Sequence, residues 1–177
     1  MRDAAVERVS VVFSLFDAND SGKLDGEDFE LMARRVVVAA DGSGEPALRE
    51  MVEAFRAYWA TLVAELDVDG DGEVTFEEFR TCVLSPERFD ATVARFADAL
   101  AELGDPDGDG LIERSRFLAL MKAIGFEEGK VHALFDAFGP SEDDLVAVDT
   151  WRRGIVDFYA PDKADIPGDL LVGGGVG

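Results

Sequence analysis

With 177 residues, 47% of them apolar, the chain is long enough to bury one sizeable core, and 38 acidic against 17 basic residues give a net charge of −21. A balance that acidic repels nucleic acid and anionic membrane surfaces, so neither is expected as a partner. Cys82 is the single cysteine, which excludes an internal disulfide and a disulfide-stapled scaffold.

In chain order, Val6, Val9, Phe13 and Phe16 form an apolar stripe at helical spacing and predict a first helix. Asp3 and Glu7 interrupt what would be the apolar region of a signal peptide, and no stretch is long enough to cross a membrane, so a cytoplasmic location is expected. An Asp/Gly-rich loop follows from Asp17. The segment Asp41–Pro46 predicts a turn, and Leu48, Met51, Phe55, Trp59, Leu62 and Leu66 predict a long helix with Pro46 in its first turn. A second loop begins at Asp67, and Cys82 in the helix after it is expected to be a small core residue. Phe89, Val93, Phe96, Leu100 and Leu103 predict a further helix ahead of a loop from Asp105. Val131, Leu134, Phe135 and Phe138 predict another ahead of a fourth loop from Gly139. The Pro- and Gly-rich end, Ala160–Gly177, is expected to be irregular, with Leu170, Leu171 and Val172 available to anchor it.

The four loops are copies of one pattern: FDANDSGKLDGEDF (16–29), LDVDGDGEVTFEEF (66–79), GDPDGDGLIERSRF (104–117) and FGPSEDDLVAVDTW (138–151). An aliphatic residue stands at loop position eight in each (Leu24, Val74, Ile112, Val146), and an aromatic follows position twelve. A twelve-residue loop with oxygen donors at positions 1, 3, 5, 7, 9 and 12 and a glycine at 6 is what a hard cation such as calcium needs.

Loop 2 matches in full, with Asp67, Asp69, Asp71, the Glu73 carbonyl and Glu78 as ligands, Gly72 at the turn and Thr75 at position 9. Loop 1 offers Asp17, Asn19, Ser21, the Lys23 carbonyl and Asp28, with Asp25 at position 9. Asp28 is one methylene shorter than the usual glutamate, which gives a tighter shell and lets magnesium compete. Loop 3 has Asp105, Asp107, Asp109, the Leu111 carbonyl and Glu113, but Arg116 holds position 12. Two outcomes stand open there: an empty loop that keeps its shape, or a weakened site with Arg116 swung to solvent. Loop 4 has Gly139 and Thr150 where closing carboxylates belong, and Asp144 in place of the glycine. It is expected to be structural, pairing Val146 with Ile112 as Leu24 pairs with Val74. Two to three calcium ions are therefore expected.

With these residues in hand, the chain resembles the sarcoplasmic calcium-binding protein group, and within it the bacterial calerythrin-like members. The resemblance rests on the four loops, the long helix before loop 2, and a terminal pattern of Trp151, Asp157–Tyr159, Pro161 and Pro167–Gly168. It implies an all-α fold of four EF-hands in two pairs packed as one compact domain, with short two-stranded β contacts between paired loops. The expected division is a first pair over 1–84 (loops 17–28 and 67–78), a second over 85–160 (loops 105–116 and 139–150) and a tail over 161–177.

Four methionines against 13 phenylalanines favour a closed aromatic core over a Met-rich groove that repacks around targets. An intracellular calcium buffer acting as a monomer is the expectation, and a sensor that shows a protein target a calcium-exposed apolar groove is the rival. No nucleophile elbow or phosphate loop appears, and the sole histidine, His132, lies between Val131 and Leu134 on a predicted helix. No enzymatic activity is expected.

Overall fold

A computed structural model describes residues 2–17, 20–40, 42–66, 72–163 and 165–172. Loop 2's Asp67, Asp69 and Asp71 and loop 1's Asn19 lie outside the described residues. The elements run α1 (Arg2–Phe16), β1 (Lys23–Leu24), α2 (Gly26–Ala39), α3 (Glu45–Leu66), β2 (Val74–Thr75), α4 (Phe76–Val83), α5 (Pro86–Leu103), β3 (Leu111–Glu113), α6 (Arg114–Ile124), α7 (Glu128–Ala137), β4 (Leu145–Ala147) and α8 (Val148–Phe158). A 3-10 turn, Pro167–Leu171, follows. The fold is all-α with two small antiparallel ribbons.

The helix boundaries follow local chemistry. Asp25 caps α2: its carboxylate accepts from the Asp28 amide at 3.0 Å while Asp28 accepts from the Asp25 amide at 3.1 Å. Thr75 and Glu78 repeat this reciprocal pair at α4, at 3.2 and 2.9 Å. Each such box satisfies two amides that have no partner within the helix. Pro86 opens α5, where its fixed backbone angle suits the first turn and its missing N–H costs nothing.

β1 pairs with β2 in the register Leu24 to Val74, and β3 with β4 in the register Ile112 to Val146, as the position-eight aliphatics require. All four of these side chains are buried. Each ribbon ties two loops together, so the loops work in pairs.

The core is continuous across the two pairs. α3 packs along α5, α5 against α8, and α2 against α6. Tyr58 of α3 is the hub, with ring centroids 5.4 Å from Phe16, 4.8 Å from Phe89 and 5.5 Å from Phe96. Phe55 meets Phe96 edge-on at 5.1 Å. A second aromatic group gathers Phe117, Phe135 and Trp151 behind loops 3 and 4. Pairs at this spacing contribute roughly 0.5–1.5 kcal/mol each beyond the area they bury. Cys82 is fully buried in this core.

The C-terminal segment departs from expectation in one respect. It is not wholly irregular, because Pro167 starts a turn of 3-10 helix and the Asp169 carboxylate accepts from the Ile166 amide at 3.2 Å. Leu171 is the anchor, 4% exposed, whereas Leu170 is 44% exposed.

Candidate metal centres

In loops 1 and 3 the chain folds back so that early carboxylates meet the amides of the turn. In loop 1 the Asp17 carboxylate accepts from the Ser21 amide (3.0 Å), the Ser21 hydroxyl (3.2 Å) and the Gly22 amide (2.8 Å). In loop 3 Asp105 accepts from the amides of Asp109 (3.1 Å) and Gly110 (2.7 Å), and Asp109 from the Leu111 amide (2.9 Å). These bonds tie the side chains of positions 1 and 5 into the turn. The backbone at position 6 has positive φ in all four: Gly22 +85°, Gly72 +74°, Gly110 +83° and, in loop 4, Asp144 +63°. Glycine takes that angle without steric cost, and aspartate is one of the few other residues that tolerates it.

One carboxylate oxygen from each of Asp105, Asp107 and Asp109 lies within 4.8 Å of the other two. The backbone of Leu111 and the exposed Glu113 follow directly in β3. The donors are all oxygen, with no thiol or imidazole in the loop, which fits a hard divalent cation rather than zinc or copper.

Positions 9 and 12 of a loop are also the cap and third residue of the helix that leaves it. That is why Asp28 and Glu78 appear in reciprocal capping boxes. Asp28 is 5% exposed, held inward at the base of loop 1. Loop 3 has no such box: Glu113 caps α6 without a side-chain hydrogen bond. Arg116 in place of an acid accounts for one half of the missing box, since a guanidinium has no acceptor for the Glu113 amide.

Arg116 turns away from the three aspartates. Its Nε donates to the Leu103 carbonyl at 2.8 Å, and its Nη2 donates to the Ser43 hydroxyl in the connection between α2 and α3. The sequence left open that this side chain swings to solvent. It does not lie in the loop, and it is half-buried between the two hand pairs rather than in solvent. A hollow of about 390 Å³ beside the loop is lined in part by Asp107, Asp109, Glu113 and Arg116.

Loop 4 is closed by a cation from the chain itself. Arg114 of loop 3 donates from Nε and Nη2 to both carboxylate oxygens of Asp144, at 2.8 and 2.9 Å, and from Nη2 to Asp136 at 2.6 Å. The guanidinium also stacks over Phe135, 4.6 Å from the ring centroid. These hydrogen bonds hold the Asp144 carboxyl below its usual range and push the Arg114 guanidinium up. His132, placed by the sequence on a predicted helix, is half-buried with Nδ1 3.2 Å from Arg114. Loops 1 and 2 are joined across their position-seven residues by Lys23 and Glu73, 3.5 Å apart.

The sequence motif gave no prominence to Arg114, because position 10 of a loop carries no ligand. Arg8 was missed as well. The one available signal was its place on the same helical face as Ala5 and Val12.

A family model described as an EF-hand domain pair matches residues 7–83. Calerythrin of Saccharopolyspora erythraea is 24% identical over 162 residues, 88% of this chain and 92% of that protein. A probable calcium-binding protein of Arabidopsis thaliana, CML34, is 30% identical over 119 residues, 64% of this chain and 69% of its own length. The chain spans 63% of the length of an uncharacterized calcium-binding protein of Caenorhabditis elegans, B0563.7, to which it is 25% identical over 158 residues, 88% of this chain. Among solved structures, a Streptomyces coelicolor calcium-binding protein superposes with a TM-score of 0.70 at 23% identity, covering 88% of this chain and 98% of that one.

Proposed function

Since the chain belongs to the EF-hand calcium-binding proteins, in the group that resembles calerythrin and the sarcoplasmic calcium-binding proteins, we propose that it acts as a calcium buffer in the cytoplasm, as a monomer. Loop 2 takes the first ion through Asp67, Asp69, Asp71, the Glu73 carbonyl and Glu78. Loop 1 takes the second through Asp17, Asn19, Ser21, the Lys23 carbonyl and Asp28, where magnesium competes. Loop 3 is a weaker third site, built from Asp105, Asp107, Asp109, the Leu111 carbonyl and Glu113 with an open side where Arg116 has turned away. Loop 4 takes none, because Gly139 and Thr150 supply no carboxylate at positions 1 and 12.

The observation that carries the buffer reading is the closed core. Met32, Met51 and Met121 are buried, and the large apolar residues exposed among those described (Val38, Leu111, Leu170) are separate in the sequence and lie in three different elements. Sensors instead expose a Met-rich groove when they bind calcium.

Titration calorimetry with calcium, with and without magnesium, tests the site assignment. Two tight steps and one weak one are expected, with magnesium weakening one tight step. Replacing Glu78 by Gln removes a charged ligand while its amide oxygen still accepts from the Thr75 amide, so α4 keeps its cap. The loop 2 step should weaken in that variant with helicity unchanged; an unaltered isotherm overturns the assignment. A large calcium-dependent rise in binding of an apolar dye would favour the sensor reading over the buffer.

A further inference from the structure

Arg8 is fully buried on the face of α1 that it shares with Ala5, Val9 and Val12. A buried guanidinium is tolerated only when its donors are matched, and here each partner lies in the last part of the chain. Nε donates to the Phe158 carbonyl at 2.8 Å and Nη1 to the Asp169 carboxylate at 2.7 Å. Nη2 donates to the carbonyls of Ala160 and Lys163 at 2.9 and 3.1 Å. Three of the four acceptors are backbone oxygens, so the fork recognises the path of the segment and only once a side chain.

What the segment covers is apolar. A hollow of about 70 Å³ lies between α1, α5, α6, α7 and α8, walled by residues such as Phe16, Phe96, Met121 and Trp151, and completed by Gly168 and Leu171 of the segment itself. The 3-10 turn packs on α7, α8 and α1. It is closely seated: a Cβ built at Gly168 would lie 2.8 Å from the Phe158 ring. A groove built from helices of both hand pairs, with an apolar floor, suits an apolar peptide segment.

We infer that this groove is a peptide-binding site whose resident occupant is the chain's own segment 160–171, fastened by Arg8, and that this contact keeps the groove shut. The inference deepens the closed-core reading above without resting on the metal assignment, because neither the fork nor the groove includes a loop ligand. Leu171 supplies the apolar anchor, and the Arg8 fork fixes the register.

The test uses the full-length chain in chelator. Binding of 8-anilinonaphthalene-1-sulfonate is measured for the wild type, Arg8→Gln and Leu171→Asp, with far-UV circular dichroism on each. Leu171→Asp should keep its helicity and bind several-fold more dye. A synthetic peptide of residues 160–172 added in trans should cancel that rise, while a scrambled peptide should not. Arg8→Gln should behave alike; if it fails to fold, Leu171→Asp and the peptide decide the matter alone. A folded Leu171→Asp chain that binds dye as the wild type does, or a rise the peptide cannot reverse, overturns the inference. Repeating the series with calcium separates the two ideas: a missing calcium response counts against the metal reading only.

Discussion

Arg114 grips Asp144 with both oxygens of the carboxylate engaged, at 2.8 and 2.9 Å, and so joins loop 3 to loop 4 through a guanidinium rather than a metal ion. The same group stacks over Phe135 and reaches Asp136, which makes hand 4 a motif completed by a fixed internal cation. A bidentate pair of this kind stacked on a ring is stabilising, but Asp144 is half-exposed and solvent screens it, so its contribution is modest. Arg114→Gln is therefore expected to lower the denaturant midpoint by a correspondingly small amount. The number of calcium ions bound should not rise, because Gly139 and Thr150 still provide no closing carboxylate. An added titration step in the variant would show that Arg114, and not the missing ligands, keeps loop 4 metal-free.

The reverse repair applies at loop 3. Arg116→Glu supplies an acid at position 12, which restores both the closing ligand and an acceptor for the Glu113 amide at the start of α6. Calcium binding at the weakest step should tighten about tenfold or more, which is about 1.4 kcal/mol. The variant loses the bonds from Arg116 to Leu103 and Ser43, so its metal-free form should melt slightly earlier. Calorimetry beside a thermal melt in chelator reads both effects. An unchanged weak step would mean that something other than position 12 limits the site.

Much of this was legible in the sequence because the repeat carries its own register. Leu24, Val74, Ile112 and Val146 recur at one loop position, and the ribbons pair them as expected. The gaps in the ligand sets were equally readable, since Arg116, Gly139 and Thr150 each replace a residue whose chemistry is known. What stayed hidden depends on where distant parts of the chain meet. That Arg116 would find Ser43, or Arg8 the carbonyl of Lys163, follows only from how α1, α6 and the tail pack, and no local spacing encodes it. The turn at Pro167 was hidden for the same reason: its residues favour irregular chain until the groove beneath Leu171 orders them.

Acid should loosen the contact between the hand pairs. Glu50 on α3 binds Arg95 on α5 at 2.9 and 3.2 Å, and that hydrogen bonding holds the Glu50 carboxyl below its usual range. A carboxyl depressed in the folded state contributes stability that is complete above its unfolded value, about 4, and is lost as pH falls through the lower folded value. Neutralising the −21 charge acts in the opposite direction on the whole molecule, so the informative quantity is the difference between wild type and Glu50→Gln. That difference in melting temperature should be steady from pH 7 to about 5 and shrink below about 4. The pair is exposed, so the difference is small, and a gap unaffected by pH would mean the ion pair contributes nothing.

Tyr58 and Tyr159 are the chain's two tyrosines, and their hydroxyls meet at 3.0 Å in the core between α3 and the end of α8. Burial pushes both phenols above their ordinary value, which disfavours their ionisation in the folded chain. An alkaline titration followed at the phenolate band should accordingly show little ionisation until the helical signal is lost. The sign follows from the unfolded state, which gains phenolate above about pH 10, so stability falls as pH rises beyond that point. Tyr58→Phe leaves the Tyr159 hydroxyl buried without this partner and should cost about 1–3 kcal/mol, whereas removing both hydroxyls should cost clearly less than the two single changes added together. Additive costs would mean that the two hydroxyls do not depend on one another. The cycle therefore measures how tightly this contact holds the end of α8, and the start of the latched segment, against the first hand pair.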